Sequence, residues 1–323
     1  MDKEKHSVNT TFLVVHYSKL HQPNGHRTNF SRSEINSENV ETDTESDCTR
    51  THLDVKNTNS TVSGVPRLYN LTRCFPPFHG RYDNTAQVAE MIAASVVLGV
   101  DHFVFYVESV GPSLKQMLEM LKKDETAEVH PWNLHLDSTS VHYFAQYSSI
   151  QDCLYRHLHT SRYLLFGDPD ELFVPRSHDQ LLPLLDEQFT KRPECGAFLF
   201  RNTFFNLNFP TKVPPTTNVS EAFIRQYQLP ALLHPVRSKT ILDPGVRSKP
   251  AVAPRKISVL GVHIVEIARK GFRSCTLDPG DGLLHHYRRA GNAGEEDRVE
   301  DPYLWRYTDA IVKETQRILN RTI

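Results

Sequence analysis

The pattern of apolar and polar positions divides the chain into two parts. Residues 1–66 are polar, rich in Ser, Thr, Asn and acidic side chains, and show almost no periodic apolar pattern. Such a segment cannot bury enough surface to offset the entropy lost on ordering. We therefore predict a stem or disordered segment over residues 1–66 and a folded domain over residues 67–323.

The first part of the folded domain, residues 67–176, alternates between two periodicities. Continuous apolar runs predict buried strands, and apolar positions at helical spacing predict helices between them. The predicted elements, in chain order, are a strand at Leu68–Phe75, a helix at Asn84–Leu98, a strand at Asp101–Val107, a helix at Leu114–Leu121, a strand at Ala127–Trp132, a helix at Tyr143–Leu158 and a strand at Tyr163–Phe166. This alternation predicts an α/β fold, with a Rossmann-like, mostly parallel sheet flanked by helices.

The second part, residues 177–290, is less regular. A helix is predicted at Gln180–Phe189 and strand structure at Gly196–Asn208. Residues 210–254 contain eight prolines and are predicted to be rich in loops, which in folded domains carry substrate contacts or form irregular surface. Residues 291–323 form a C-terminal tail with a helix predicted over Tyr303–Asn320.

Composition excludes some classes of protein. The chain has 323 residues, 39% of them hydrophobic, and a net charge of −1. A net charge so close to zero does not indicate a positively charged surface for a nucleic acid, so no such partner is predicted. No apolar run approaches the roughly 20 residues that cross a bilayer, and the best N-terminal candidate, Phe12–Val15, is interrupted by His16. The sequence therefore predicts neither a signal peptide nor an anchor.

Cysteines and glycosylation acceptors bear on the compartment. The five cysteines are too few and too irregularly spaced to predict a disulfide framework or a zinc pattern, and their odd number leaves at least one unpaired in a monomer. Asn-x-Ser/Thr acceptors favour a lumenal protein, although unused acceptors in a cytosolic protein are the alternative. The cysteines are Cys48, Cys74, Cys153, Cys195 and Cys275, and the acceptors are Asn9, Asn29, Asn59, Asn70, Asn218 and Asn320.

Candidate chemistry concentrates in an acidic cluster, Asp168, Asp170 and Glu171, directly after the strand Tyr163–Phe166. Loops at the carboxyl ends of strands form the ligand crevice of open α/β sheets. Adjacent carboxylates repel one another unless a cation joins them, and Mg²⁺ or Mn²⁺ favours carboxylate and phosphate oxygens. The cluster therefore predicts a metal–diphosphate site, with a solvated acidic turn as the alternative. The apolar Leu172–Val174 after it favours the functional interpretation.

The segment Tyr163–Pro175 resembles the Asp-x-Asp segment of glycosyltransferase family 92, and further stretches follow the family's order across residues 67–289. The resemblance implies a GT-A fold, a UDP-sugar donor, a divalent metal and inverting transfer of galactose onto a glycan or glycoprotein. It makes residues 67–176 the donor-nucleotide half and residues 177–290 the acceptor half. The matching stretches are Cys74–Pro77, Leu98–Tyr106, His130–Trp132, Gln151–Arg156, Ser238–Ile241, Val262–His263 and His286–Arg288.

The resemblance also implies roles for the metal-site residues. Asp170, the last acid of the motif, is expected to bind Mn²⁺ or Mg²⁺ directly, and Asp168 to face the donor ribose or bind the ion through water. His286 is expected to supply a further metal ligand, because a neutral imidazole suits Mn²⁺. Glu171 either orients these carboxylates or is a surface charge. Arg288, or the arginine that follows it, would contact a phosphate through its planar guanidinium group.

Other donor contacts and the general base are less specified. Arg73 and Tyr82 flank the first strand and loop, where GT-A folds bind the nucleotide, and Lys239 is a candidate phosphate contact. An inverting transfer needs a carboxylate base near the acceptor hydroxyl. The sequence does not choose among the acids available in the second half, which are Glu221, Asp243 and Glu266.

Location and competing functions complete the sequence-based expectations. The resemblance implies a Golgi membrane protein with an N-terminal anchor, whereas no anchor is visible in this sequence, so a truncated chain is one interpretation. A phosphatase of the haloacid dehalogenase type also places Asp-x-Asp after an apolar strand, but Leu172 occupies a position where that motif has Thr or Val. An inactive glycan-binding or scaffolding relative is the non-catalytic alternative.

Overall fold

A computed structural model describes residues 67–134, 142–289 and 297–322. The predicted stem, residues 1–66, lies outside these ranges. Within them, none of the helices combines the length and the apolar character that a bilayer-spanning segment requires. The strands are β1 (Tyr69–Cys74), β2 (His102–Val107), β3 (Ala127–Pro131), β4 (Ser161–Phe166), β5 (Glu171–Pro175), β6 (Cys195–Phe200), β7 (Asn202–Asn206), β8 (Val236–Ser238), β9 (Lys249–Val252), β10 (Ile257–Leu260), β11 (Val265–Ala268), β12 (Arg273–Thr276), β13 (Gly282–Arg288) and β14 (Arg298–Glu300).

A seven-stranded sheet in the order β12-β6-β9-β4-β1-β2-β3 forms the centre of the domain. All of its neighbouring pairs are parallel except those of β9, which runs antiparallel to both β4 and β6. This mostly parallel sheet confirms the predicted α/β fold of the GT-A type. Strands from both predicted halves of the domain belong to it, and the division at residue 176 stays a prediction.

A smaller sheet, in the order β5-β13-β7, continues from the acidic loop. Here β13 runs antiparallel to β5 and parallel to β7. The register pairs His286 of β13 with Glu171 on one side and with Phe204 on the other. The pairing therefore places the C-terminal histidine motif beside the acidic cluster, more than a hundred residues away in sequence.

Helices cover both faces of the central sheet. Along β2, alternate side chains point to opposite faces: Phe103 and Phe105 pack in the larger core with α1, whereas Val104 and Tyr106 pack with α3. Burying one such aromatic or aliphatic side chain contributes roughly 1.5–3 kcal/mol. The helices are α1 (Thr85–Val97), α2 (Pro112–Lys123), α3 (Gln146–Arg156), α4 (Leu181–Lys191), α5 (Asn218–Tyr227), α6 (Pro230–Leu233) and α7 (Thr308–Leu319).

Three predicted elements differ from the structure. The helix expected from Tyr143 begins only at Gln146, because the three preceding residues have left-handed backbone angles, with φ between 44° and 54°. The stretch Gly196–Asn208 forms two strands, β6 and β7, which belong to different sheets. Residues 210–254 are not wholly irregular, since they contain α5, α6, β8 and β9. Pro230, for example, stands in the first turn of α6, where proline is tolerated.

Four cysteines form two disulfides, Cys74–Cys153 and Cys195–Cys275. The sequence-based expectation of no disulfide framework was therefore wrong. The partners are separated by 79 and 80 residues, so local spacing gives no sign of them. The fold supplies the proximity, because Cys74 ends β1 beneath α3, and β6 and β12 are neighbours in the sheet. Cys48 lies outside the described residues.

Candidate active site

The acidic cluster is a tight turn between two buried strands. β4 ends at Phe166, and the N–H of Glu171, the first residue of β5, donates to the carbonyl oxygen of Asp168 over 3.1 Å. Gly167 permits close packing at this point, since a Cβ there would lie 3.2 Å from the ring of Phe173. The turn therefore presents Asp168 and Asp170 at the C-terminal edge of the central sheet, each with a side chain 31% exposed.

Glu171 is buried at the centre of the cluster, with only 1% of the residue exposed. One carboxylate oxygen accepts the backbone N–H of Asp168 at 2.9 Å, and the other lies 3.4 Å from Nδ1 of His286. Burial raises the pKa of Glu171 to about 7, although the Lys249 ammonium opposes this shift. The surface-charge alternative is thus excluded, and Glu171 orients the groups around it.

Lys249, the first residue of β9, brings a buried ammonium to the acidic turn. Its Nζ lies 3.0 Å from Oδ2 of Asp168 and 3.4 Å from Oε2 of Glu171. Burial alone would raise the pKa of Asp168, but this ammonium reverses the shift and keeps the carboxyl ionised. The same two carboxylates raise the pKa of Lys249 against the effect of burial. Sequence analysis missed Lys249, whose only local signal is a lysine opening the short apolar run Pro250–Val252.

Arg73 supports the turn from inside the protein. It is 1% exposed, and its guanidinium donates to the carbonyl oxygens of Asp168, at 3.0 Å, and Glu171, at 2.5 Å, and to the Ser95 hydroxyl at 2.6 Å. A buried guanidinium has no surface to offer a nucleotide. Arg73 therefore belongs beneath the loop, and its predicted place among the donor contacts is corrected by this burial.

His286 joins the second acid of the motif to the small sheet. Its Nε2 lies 3.3 Å from Oδ2 of Asp170, and the backbone N–H of Tyr287 donates to the Asp170 carbonyl oxygen at 2.8 Å. On the other side of the ring, Nδ1 lies 3.0 Å from the side-chain amide nitrogen of Asn202, whose buried oxygen has no partner among the described residues. Rotating this amide by half a turn would let its oxygen accept a hydrogen bond from the Nδ1–H group, so that the lone pair of Nε2 would face Asp170.

The pair formed by Asp170 and His286 fits a divalent cation. A carboxylate oxygen and an imidazole lone pair at 3.3 Å repel each other unless a proton or a cation lies between them. Both groups are ligands that Mn²⁺ accepts. Asp168 differs from Asp170, since Lys249 already neutralises one of its oxygens and the other faces the amide of Gln146 at 3.5 Å. The geometry therefore favours Asp170 and His286 as direct ligands and leaves Asp168 facing the cleft.

The remaining predicted donor contacts are distributed differently. Tyr82 is half-buried, and burial together with the Asp170 carboxylate raises its pKa to about 12. Arg288 is exposed and lies two residues beyond His286 on β13, so it projects from the same side of the strand. Lys239 is exposed just after β8, and its role as a phosphate contact stays a prediction.

A cleft beside Asp168 is bordered by α3 and by the turn between β10 and β11. Gln146, Ile150 and Val262 are among the residues that line it. The loop 243–248 meets the turn between β10 and β11, because a Cβ on Gly245 would lie 3.2 Å from Ile264. We refer to this loop and turn together as the rim.

Two of the three candidate bases lie on or beside the rim. Asp243 is 90% exposed at the start of the loop, and Glu266, on β11, accepts from the hydroxyl of Tyr147 at 2.8 Å. Glu221 lies on α5, where it pairs with Arg225 one turn later. Among the described residues α5 packs against α6 and α7, so Asp243 and Glu266 are the better placed candidates.

Comparisons with known proteins identify the family. A model of the family described as Glycosyltransferase family 92 matches residues 69–319. Among curated proteins, a beta-1,4-galactosyltransferase, galt-1, of Caenorhabditis elegans is 25% identical over 109 residues, which cover 33% of this chain and 26% of that protein. The glycosyltransferase family 92 protein F59C6.8 of the same organism is 19% identical over 199 residues, or 57% of this chain and 35% of that protein. The aligned regions thus span about a quarter and a third of these relatives.

Solved structures give a remoter likeness. Glucosyl-3-phosphoglycerate synthase from Mycobacterium tuberculosis, in complex with Mn²⁺, UDP and phosphoglyceric acid, is 13% identical, with a TM-score of 0.34 and 78% of each chain covered. TarS of S. aureus is 12% identical, with a TM-score of 0.31, and the match covers 46% of this chain and 24% of TarS. The assignment depends on the family model, whose match covers most of the chain. The matched residues include the acidic turn and β13, the strand that carries His286. The chain belongs to glycosyltransferase family 92.

Proposed function

We propose that this protein is a metal-dependent, inverting glycosyltransferase that transfers galactose from UDP-galactose to a glycan or glycoprotein acceptor. The observation that carries the proposal is the pairing of Asp170 with His286 at 3.3 Å on the C-terminal edge of the sheet. Family membership supports sugar transfer over the phosphatase alternative. One distant relative is named a beta-1,4-galactosyltransferase, which supports galactose as the sugar.

Asp170 and His286 would hold Mn²⁺ or Mg²⁺. A divalent ion bound there would offset the charge that develops on the diphosphate leaving group as the glycosidic bond breaks. Lys249 keeps Asp168 ionised and held in place, so that its remaining oxygen is available to a donor hydroxyl in the cleft. Arg288, exposed on the same side of β13 as His286, would contact a phosphate oxygen.

The acceptor would approach from the rim, where Asp243 and Glu266 offer exposed carboxylates. A general base must reach the acceptor hydroxyl at about 2.6–3.2 Å. Replacing each acid by its amide in turn, Asp243→Asn and Glu266→Gln, identifies the base, because the variant lacking it should lose kcat with little change in donor affinity.

The class of reaction is tested with a panel of UDP-sugars, in the presence of Mn²⁺ and of a chelator. We expect metal-dependent consumption of UDP-galactose, and abolished turnover in the Asp170→Ala variant with its fold intact. Asp179→Asn is a matched control, because its side chain is 82% exposed and remote from the turn. An active Asp170→Ala variant would exclude the metal assignment. No consumption of any donor by folded protein would favour the inactive, glycan-binding alternative.

We further propose that the protein works in the Golgi lumen, in association with the membrane as in its family. Disulfides persist in oxidising compartments, and two pairs of cysteines are bonded here. The three glycosylation acceptors within the described residues, Asn70, Asn218 and Asn320, are all exposed. Protein made in secretory cells should therefore shift in mobility when N-glycans are removed. An unshifted, cytosolic protein would contradict this location.

A further inference from the structure

A second group of potential metal ligands lies at the opposite edge of the central sheet. His102 is the first residue of β2, Glu128 lies near the start of β3, and His157 follows the last residue of α3. Parallel strands begin at one edge of a sheet and end at the other, so these residues are far from the acidic turn, which follows the end of β4. The three residues, which we call the histidine cluster, therefore form a separate site.

The fold brings the histidine cluster together through strand register and one helix end. Glu128 pairs with Val104 of β2, and His102 is two residues before Val104, so both side chains project from the same face. This is the face that α3 covers, since Val104 packs in the same core cluster as residues of that helix. The end of α3 then delivers His157 above the two strands.

The distances between the ligand atoms are slightly longer than those of tetrahedral coordination. Nε2 of His102 lies 3.4 Å from Oε1 of Glu128, and Nε2 of His157 lies 3.8 Å from the same oxygen. The three ligand atoms are all within 4.8 Å of one another. Bonds of about 2.0–2.1 Å to a tetrahedral zinc ion put neighbouring ligand atoms about 3.3–3.4 Å apart. Small side-chain adjustments would therefore close the site around an ion.

Unpaired nitrogens provide an independent indication of a ligand. His102 and His157 are each 1% exposed, and the Nε2 atoms of both have no hydrogen-bond partner among the described residues. Buried polar atoms are normally paired. Nδ1 of His157 lies 3.2 Å from the hydroxyl of Thr160, which fixes the ring and leaves Nε2 directed at Glu128. His130 holds the other carboxylate oxygen of Glu128 at 3.1 Å.

The charges around the histidine cluster also suit a cation. His157 lies at the C-terminus of α3, where the helix dipole favours positive charge.

We propose that His102, Glu128 and His157 bind a zinc ion that ties β2, β3 and the end of α3 together. Two imidazoles and one carboxylate favour Zn²⁺ over Mg²⁺ or Ca²⁺, which prefer oxygen ligands throughout. Glu128 is 35% exposed, so a water molecule can fill the fourth position from solvent. The site is distinct from the Mn²⁺ or Mg²⁺ site of the donor and needs no donor for binding.

The protein is first stripped of metal with a chelator, and ZnCl₂ is then titrated into the full chain in competition with a chromophoric zinc chelator. The chain carries Asp170→Asn, which weakens the other proposed metal site, formed by Asp170 and His286. We expect one tightly bound zinc ion. Replacing a residue that only hydrogen-bonds to a metal ligand typically lowers metal affinity by about 10- to 100-fold. Replacing a ligand itself should have a larger effect, so Glu128→Gln and His157→Gln should each weaken zinc binding by more than about 100-fold. His159→Gln is the matched control, since His159 contacts Arg255 instead and should leave affinity unchanged.

Cobalt spectroscopy provides a measurement that does not depend on the folding of the variants. Co²⁺ added to the stripped chain with intact ligands should give the intense visible bands of a tetrahedral site, and excess Zn²⁺ should remove them. The proposal is overturned if Co²⁺ gives only the weak spectrum of six-coordinate oxygen ligation, or if folded Glu128→Gln and His157→Gln variants bind Zn²⁺ as tightly as the His159→Gln control.

Discussion

Lys249 shows how a single residue stabilises the acidic turn. Its ammonium lies between Asp168 and Glu171 and is almost completely buried. Without it, two carboxylates would face each other in a region that excludes water. A buried charge left without its partner typically destabilises a protein by about 3–5 kcal/mol. The lysine is therefore needed for the fold of the turn as well as for the charge of the cleft.

Lys249→Met should consequently lower the free energy of unfolding by about 3–5 kcal/mol. Lys239→Met provides the control, since its exposed side chain should change stability by no more than about 0.5 kcal/mol. Urea unfolding of both variants measures the difference. Equal stabilities would show that the turn does not depend on the buried ammonium.

The residues of the site differ in how far sequence could predict them. Asp168 and Asp170 stand in a local motif after an apolar strand, and His286 belongs to a second local motif. Lys249 and Asn202 contact them only because β9 and β7 are neighbours of the strands that carry those motifs. Arg73 lies in the expected place on β1, but its burial depends on packing that no local pattern shows.

At the scale of elements, Glu90 of α1 links two helices through a buried carboxyl group. It accepts the backbone N–H groups of Ala231, at 3.1 Å, and Leu232, at 3.3 Å, both in α6. Burial raises its pKa to about 8, despite these two hydrogen bonds. The carboxyl is therefore protonated in the folded protein over a range where it is ionised in the unfolded chain.

This carboxyl group should make stability fall with rising pH. Below its unfolded pKa of 4.5 both states are protonated; between 4.5 and about 8 only the folded state keeps the proton, so stability decreases. The loss reaches at most about 1.4 kcal/mol per pH unit and ends above the folded pKa. Glu90→Gln should reduce the slope and leave the contribution of Glu171, whose pKa burial also raises, whereas Glu119→Gln, at an exposed position of α2, should leave the slope unchanged. Identical slopes in urea unfolding across this range would exclude a buried acidic Glu90.

Regular elements were predictable where periodicity and capping agree. α1 begins behind Asn84, whose side chain accepts from the N–H of Gln87, and its buried face follows the helical spacing of the sequence. Periodicity failed at residues 143–145, because left-handed backbone angles interrupt an otherwise helical pattern. Periodicity also failed at Arg201, which separates β6 from β7. These two strands belong to different sheets, but the alternation of side chains continues through Arg201 and gives no sign of the change.

At the scale of the molecule, the two disulfides close loops of similar length at different places. Cys74 and Cys153 lie beside the cleft, and Cys74 is one of the residues that line it. Cys195 and Cys275 instead join β6 to β12, the strand at the edge of the central sheet. A loop of this size restrains the unfolded chain by about 4–5 kcal/mol in the entropic model. The two bonds should therefore contribute alike to stability and differently to donor binding.

Replacing each pair of cysteines by alanines tests this difference. Both double variants should lose about 4–5 kcal/mol in urea unfolding. The Cys74→Ala, Cys153→Ala protein should also bind UDP more weakly by calorimetry, because α3 is no longer fixed against the end of β1. The Cys195→Ala, Cys275→Ala protein should keep its UDP affinity, and a parallel loss of affinity in both would show that the bond beside the cleft has no special role.

The dispersal of the acidic turn and its partners along the chain has a consequence for synthesis. Five separate strands or strand ends supply Arg73, Asp168, Asn202, Lys249 and His286, and His286 is the last of them along the chain. Contacts between residues so distant in sequence form late, because loop closure must precede them. No nascent chain that ends before β13 can assemble the complete pocket, so the proposed donor binding would begin only after His286 has been made. Donor binding would thus report that these distant strands have come together.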